Sequence, residues 1–257
     1  MLPDDDTSTV DAFHRGRFHV VQPALKGHRS GVDAMILASM VPDGFNGRIA
    51  DMGAGAGAAG LAVLSRCPEA SATLIERSAF MAGFARRTLE LAENAALAGR
   101  AEVLEADVML TGRARAAAGL PDDSFGFVIM NPPFNAASDR ATPDPLRAEA
   151  HVMAPGMFEG WLRTAGAILR PSGMVGIIAR PGSLAEILEA LRGRFGQIVI
   201  VPVQPRPQEA AIRILVRAVK GSKAPLALHP PLIIHHESGN GFTPRADAIN
   251  NGLAGLF

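Results

Sequence analysis

The sequence predicts an α/β fold: a seven-stranded, mostly parallel sheet with helices on both faces and an antiparallel last strand. Three observations predict it. From Arg48 onward, short apolar runs alternate with segments of helical periodicity, the pattern of strand–helix–strand units. The last two apolar runs have no helix between them, and Pro202, Pro205 and Pro207 break their connection, so they pair as a hairpin. The chain of 257 residues is 48% hydrophobic and 19% charged, the composition of one ordinary folded domain with appendages.

The elements follow in order. Residues 1–16 are polar, acidic and aperiodic, and are expected to fray. Arg17 to Gln22 alternates, a short strand or half of a hairpin. A polar, glycine-punctuated loop runs from Gly27 to Asp33. Val32, Met35, Ile36, Ser39 and Met40 then form a helical stripe that Pro42 ends. The spacing predicts strands over Arg48–Met52, Ala72–Glu76, Ala101–Glu105, Phe125–Met130, Met174–Ala179, Ile198–Val203 and Ala211–Ala218. Helices are expected over 57–66, 78–98, 108–118, 155–169 and 182–193. Residues 135–150 are a long polar insertion carrying Pro143 and Pro145, and such loops are usually functional or disordered. Residues 224–257, with Pro225, Pro230 and Pro231 before an apolar run at Leu232–Ile234, read as a C-terminal wrap. The expected organisation is a single domain, with a 1–46 extension, a 47–223 core and the 224–257 wrap.

Several classes are excluded on composition. No run approaches the roughly 18 apolar residues of a membrane span, and the acidic start (Asp4, Asp5, Asp6) is unlike a signal peptide, so a cytoplasmic protein without a membrane partner is expected. The single cysteine, Cys67, rules out an intramolecular disulfide and a cysteine-rich metal site, and reads as a buried small hydrophobe. His235 and His236 point to opposite faces of any strand, so no metal is expected. The net charge of zero hides an asymmetry: residues 140–223 hold 12 Lys and Arg against 6 Asp and Glu, whereas residues 1–139 are net −5. The basic segment is a candidate phosphate-facing surface.

The chemistry concentrates where Val128-Ile129-Met130 stops at Asn131-Pro132-Pro133-Phe134. Proline continues neither a central strand nor a helix, so these residues form a stiff loop beyond a buried strand, at the sheet edge where ligands of α/β proteins bind. Upstream, Asp51-Met52-Gly53-Ala54-Gly55-Ala56-Gly57 joins the first strand to its helix, and glycines there allow close approach of a ligand. Glu76 ends the second strand, placed to take ribose hydroxyls, and Asp107 follows the third, placed to accept from an adenine amino group. An acid immediately before the glycines repels a pyrophosphate, which seeks bare backbone N–H groups. It suits a cation, and S-adenosylmethionine carries a sulfonium and an ammonium without phosphate.

In this order, Asp51–Gly57, Glu76, Asp107 and Asn131–Phe134 resemble the class I S-adenosylmethionine-dependent methyltransferases of planar amino groups, which have a Rossmann-like fold. Gly31-Val32-Asp33-Ala34-Met35-Ile36-Leu37-Ala38, Arg213-Ile214-Leu215-Val216 and Phe242-Thr243-Pro244 narrow the resemblance to the bacterial tRNA(1)(Val) adenine-N6-methyltransferase family, over nearly the whole chain. Phe134 stands where tyrosine is commoner, and the 135–150 insertion matches no motif. The resemblance implies cofactor binding by Asp33, Asp51, Gly53, Gly55, Gly57, Glu76, Asp107 and Asn131, and catalysis by Asn131, Pro132 and Phe134. Its expected partner is RNA, tRNA above all.

An exocyclic amine is a poor nucleophile because its lone pair is delocalised. The Asn131 side-chain oxygen and the Pro132 carbonyl can accept its hydrogens and stabilise developing positive charge, while Phe134 stacks on the base. No general base is then required. Pro133, Arg140, Arg147, Arg206 and Arg213 are candidate substrate contacts, with Lys220 and Lys223 further candidates for phosphate. His151, Phe158 and Trp161 read as structural. A glutamine side-chain amide presents the same NH2 group, so a protein glutamine N5-methyltransferase remains an alternative. A guanine-N2 rRNA enzyme is another, and a non-catalytic cofactor-binding module represents a different class.

Overall fold

The computed structural model describes residues 8–24, 30–133, 135–136, 152–153 and 156–257. The chain begins with β1 (Ser8–Phe13) and β2 (Phe18–Pro23), an antiparallel hairpin in register from Ser8 opposite Pro23 to Phe13 opposite Phe18. Here the expectation of a frayed start is corrected for residues 8–16. The polar segment finds its hydrogen-bond partners on β2, which is itself almost wholly buried. At the hairpin's tip His14 is buried, its Nδ1 2.6 Å from Ser65 Oγ. Burial, reinforced by Arg17 and Arg66, lowers its pKa to about 4.

Helix α1 (Val32–Ala38) precedes the central sheet. The sheet then builds through β3 (Gly47–Met52), α2 (Ala58–Arg66), β4 (Ala70–Glu76), α3 (Ala79–Glu90), a short turn of helix α4 (Ala95–Ala98) and β5 (Ala101–Glu105). Next come α5 (Gly112–Ala117) and β6 (Phe125–Met130), and then a two-residue pair, β7 (Asn135–Ala136) with β8 (Val152–Met153). The second half holds α6 (Met157–Ile168), β9 (Leu169–Ala179), α7 (Leu184–Leu191), β10 (Phe195–Gln204) and β11 (Arg213–Lys220). Short strands β12 (Ala227–Leu228) and β13 (Leu232–Ile233) and helix α8 (Pro244–Asn250) close it.

The sheet order is β12-β10-β11-β9-β6-β3-β4-β5, with β13 also beside β10. Its seven long strands are all parallel except β11, which runs antiparallel to both β9 and β10. Two additions extend the expected seven strands: β12 and β13 each pair with the outer edge of β10 through two residues.

Strand β6 is buried on both faces. Phe127 and Ile129 pack with Leu61, Leu64 and Leu74 on one side, and Val128 and Met130 pack with Phe158, Leu162 and Ile177 on the other. This is why its sequence is continuously apolar rather than alternating. Each such side chain contributes about 1.5–3 kcal/mol by leaving water. Two helices are shorter than their periodicity predicts. The expected 78–98 helix breaks at Leu91 (φ −62°, ψ 133°), where the Asn94 side chain donates to the carbonyls of His19 and Thr88 and accepts from His19 N. The expected 108–118 helix loses its first turn because Asp107 Oδ1 accepts from Met109 N at 2.8 Å and holds a tight loop.

Candidate active site

The carboxyl ends of β3, β4, β5 and β6 lie level. Met52 is opposite both Ile75 and Met130, and Glu76 is opposite Glu105. Parallel register therefore delivers Gly53, Glu76, Asp107 and Asn131 to one edge of the sheet, although they are far apart in sequence.

The turn after β3 is wound by Gly53, Gly55 and Gly57, at φ 73°, 57° and 91°, a region costly for other residues. It is tied to β4: Gly53 N and Ala54 N donate to the Ile75 carbonyl at 2.9 and 3.0 Å. Gly55 N donates to Glu76 Oε2 at 3.0 Å, and Ser78 N donates to Glu76 Oε1 at 2.8 Å. The Glu76 carboxylate is thus fixed beside the turn, with lone pairs to spare for further donors.

Asp51 lies under the turn, only 2% exposed, and its Oδ2 accepts from Gly60 N at 2.8 Å. Gly60 is in the first turn of α2, where N–H groups have no partner within the helix. Burial raises the Asp51 pKa to about 7; the Gly60 hydrogen bond opposes the shift and nearby Glu76 adds to it. Gly60 also lets α2 press onto the sheet: a Cβ there would lie 2.3 Å from Leu74 Cδ2. This packing role is absent from the sequence reading. Its signal was a glycine in a helix, nine residues after a strand acid.

Asn131 directly follows β6, and Pro132 is buried. The Asn131 side-chain oxygen is buried and no described group donates to it. Buried acceptors are nearly always satisfied, so among the described residues this oxygen stands out as having capacity for a further donor. Pro133 is half-buried beside it.

The remaining candidates separate. Asp33, in the first turn of α1, accepts from Arg213 Nε at 2.9 Å. Arg213 opens β11, two strands from β6, about 10 Å across the sheet. Arg206 lies beyond β10 at the same edge and donates to the His236 carbonyl at 2.6 Å. Lys220, by contrast, ends β11 at the opposite edge, about 23 Å along the strand, where it pairs with Asp123. It is no part of the site. Phe134, Arg140, Arg147 and His151 lie outside the described residues. Phe158 is core, 1% exposed. Trp161 is half-buried and meets the glycine turn: a Cβ on Gly53 would come within 2.7 Å of Trp161 Cη2.

One edge of the sheet thus carries fixed carboxylates, a glycine turn exposed at Gly53 and an unpartnered acceptor. It can hold a cationic nucleoside beside a group bearing N–H donors. Comparison with known proteins supports the cofactor half of this reading. Residues 29–205 match the family model described as methyltransferase small domain. Among solved structures, a predicted O-methyltransferase, protein Atu636 from Agrobacterium tumefaciens, is 50% identical, covering 87% of this chain and 98% of its own, with a TM-score of 0.77. A putative transferase, PH0793 from Pyrococcus horikoshii, is 14% identical over 86% of this chain and 75% of its own, with a TM-score of 0.58. P. horikoshii TYW2, solved in complex with MeSAdo, is 13% identical over 86% and 74%, with a TM-score of 0.56. The last two are alike in fold. No curated protein matches the chain.

Proposed function

We propose that this chain, which belongs to the methyltransferase small domain family and is an S-adenosylmethionine-dependent methyltransferase, methylates the N6 amino group of an adenine in RNA, by preference tRNA. The observation that carries the acceptor is the buried, unpartnered Asn131 side-chain oxygen. A neutral amide oxygen suits an N–H donor.

The residues fit the cofactor. Glu76, fixed by Gly55 N and Ser78 N, would take the ribose hydroxyls. Asp107 would face the adenine, and the Gly53–Gly57 turn would bear the amino acid part, with Asp51 beneath it supplying negative charge. When bound, the cofactor supplies a methyl group on a sulfonium, electrophilic and ready for transfer.

Asn131 accepts one hydrogen of the acceptor amine, and the Pro132 carbonyl accepts the other. Both draw the nitrogen toward a tetrahedral shape, which returns its lone pair, and both stabilise the positive charge that develops on it. The amine's proton then departs to water. The two prolines hold both acceptors still, and that fixed geometry supplies the orientation. Phe134 stacks on the base by resemblance to the amino-methyltransferase motif. An adenine in an RNA loop reaches such an edge without leaving a duplex stack, and Arg213 and Arg206 stand on the same edge as phosphate contacts.

A hydroxyl acceptor, the class in the name of the Agrobacterium protein, is the second reading. It is weaker because a neutral Asn131 amide cannot take the proton of an alcohol. One experiment tests both. The protein is incubated with methyl-labelled S-adenosylmethionine and either total RNA or total protein, and the label is located by digestion and mass spectrometry. Label in N6-methyladenosine is expected. Label in glutamine, guanine N2 or a hydroxyl overturns the RNA adenine assignment.

A further inference from the structure

Helix α6 lies across both loops that carry the cofactor residues. The Thr164 hydroxyl donates to the Val108 carbonyl at 2.7 Å, and the Leu110 carbonyl lies 3.3 Å from the same oxygen, so the helix is pinned to the loop that starts at Asp107. One turn earlier the helix has a bare Gly160 against Met109: a Cβ there would sit 2.4 Å from Met109 Sδ. Trp161, three residues before Thr164, is its neighbour on the helix surface. Its indole edge reaches the other loop, within 2.7 Å of where a Gly53 Cβ would stand. Gly53 therefore does more than permit a turn: with any side chain it would displace the indole.

The half-buried indole meets the glycine turn, and the helix that carries it is pinned to the Asp107 loop. With the amino acid part of the cofactor at the glycine turn and its adenine at the Asp107 loop, as assigned above, the adenosine lies between them, and the flat apolar surface of an indole is well matched to an adenosine face. We infer that Trp161 is a positioning residue for the cofactor, closing its pocket between Gly53 and the Asp107 loop and contacting the adenosine portion. The inference rests on the cofactor site assigned above. It concerns how the nucleoside is held, whatever the methyl acceptor.

The chain offers a direct probe, because Trp161 is its one tryptophan and it has no tyrosine. Indole fluorescence therefore reports this position alone. S-adenosylhomocysteine, the demethylated cofactor, is titrated into the full-length protein, with emission and acrylamide quenching followed beside equilibrium dialysis. Emission should change saturably, at the affinity found by dialysis, and quenching should fall. Trp161→Ala should weaken binding about tenfold, as expected for losing an aromatic contact. Trp161→Phe keeps a ring against Gly53, tests the same contact should the alanine variant fail to fold, and should weaken binding less. Saturable binding by dialysis with unchanged emission, or unaltered affinity in Trp161→Phe and Trp161→Ala, overturns the role of Trp161 and leaves the cofactor site standing. No binding by dialysis to the folded protein overturns the site and this inference together.

Discussion

An amide oxygen buried without a donor costs about 1–3 kcal/mol, and Asn131 bears that cost at the end of the most deeply buried strand. A structural asparagine would stabilise the fold and a substrate-facing one would not. Asn131→Ala should therefore leave the melting temperature unchanged or slightly raised, retain cofactor binding and lower kcat by about 10²–10³. A marked loss of stability with activity preserved would contradict the assignment. Asp51 makes a second residue-scale prediction. Its pKa in the fold is about 7, above the usual 3.8, chiefly through burial. The protonated acid is thus the form the fold prefers. Its contribution to stability is complete below about pH 4 and is lost as pH rises through about 7. A bound cation reverses this preference, so cofactor affinity should strengthen from pH 6 to pH 8. Calorimetry of S-adenosylmethionine binding across that range measures it, and Asp51→Asn should flatten the profile.

Packing between elements decides how tightly the cofactor turn is held. Gly60→Ala places a methyl against Leu74 Cδ2 and should destabilise the protein by about 1–3 kcal/mol, as overpacking does. In Gly60→Ala/Leu74→Ala the clash is relieved, so denaturant midpoints should show a strongly non-additive cycle. How legible the elements were follows from where their determinants lie. β6 was readable to the residue because burial on both faces is written into its own sequence. The break at Leu91 was not, because it is imposed by Asn94 bonding to His19 on a distant hairpin. β1 was hidden by its acidity and needed β2 to become a strand. At the site, the strand-end acids, the glycine turn and Asn131 were legible as a series. The partners of Asp51 and Glu76 were not, because Gly60 N and Gly55 N are brought to them by helix docking and turn geometry.

At the scale of the molecule, the site edge is closed by parts distant in sequence. Asp33 of α1 and Arg213 of β11 are 180 residues apart and pair at 2.9 Å, with side chains 31% and 23% exposed. Such a partly exposed pair contributes little, so Arg213→Ala should cost less than about 1 kcal/mol in thermal stability. If Arg206 and Arg213 meet RNA phosphates, their joint replacement by alanine should lower the slope of log affinity against log salt by about 0.7–0.9 per contact. An unchanged slope would remove them from the interface.

The reversed strand has a consequence for biosynthesis. β10 leaves the ribosome before β11, yet β11 is what joins β10 to β9. Until it inserts, β9 and β10 both present open apolar edges, the kind that recruit other chains. A nascent chain paused after Gln204 is therefore at its most vulnerable. Arrival of the next sixteen residues, through Lys220, completes the seven-stranded run and fills both edges in one step.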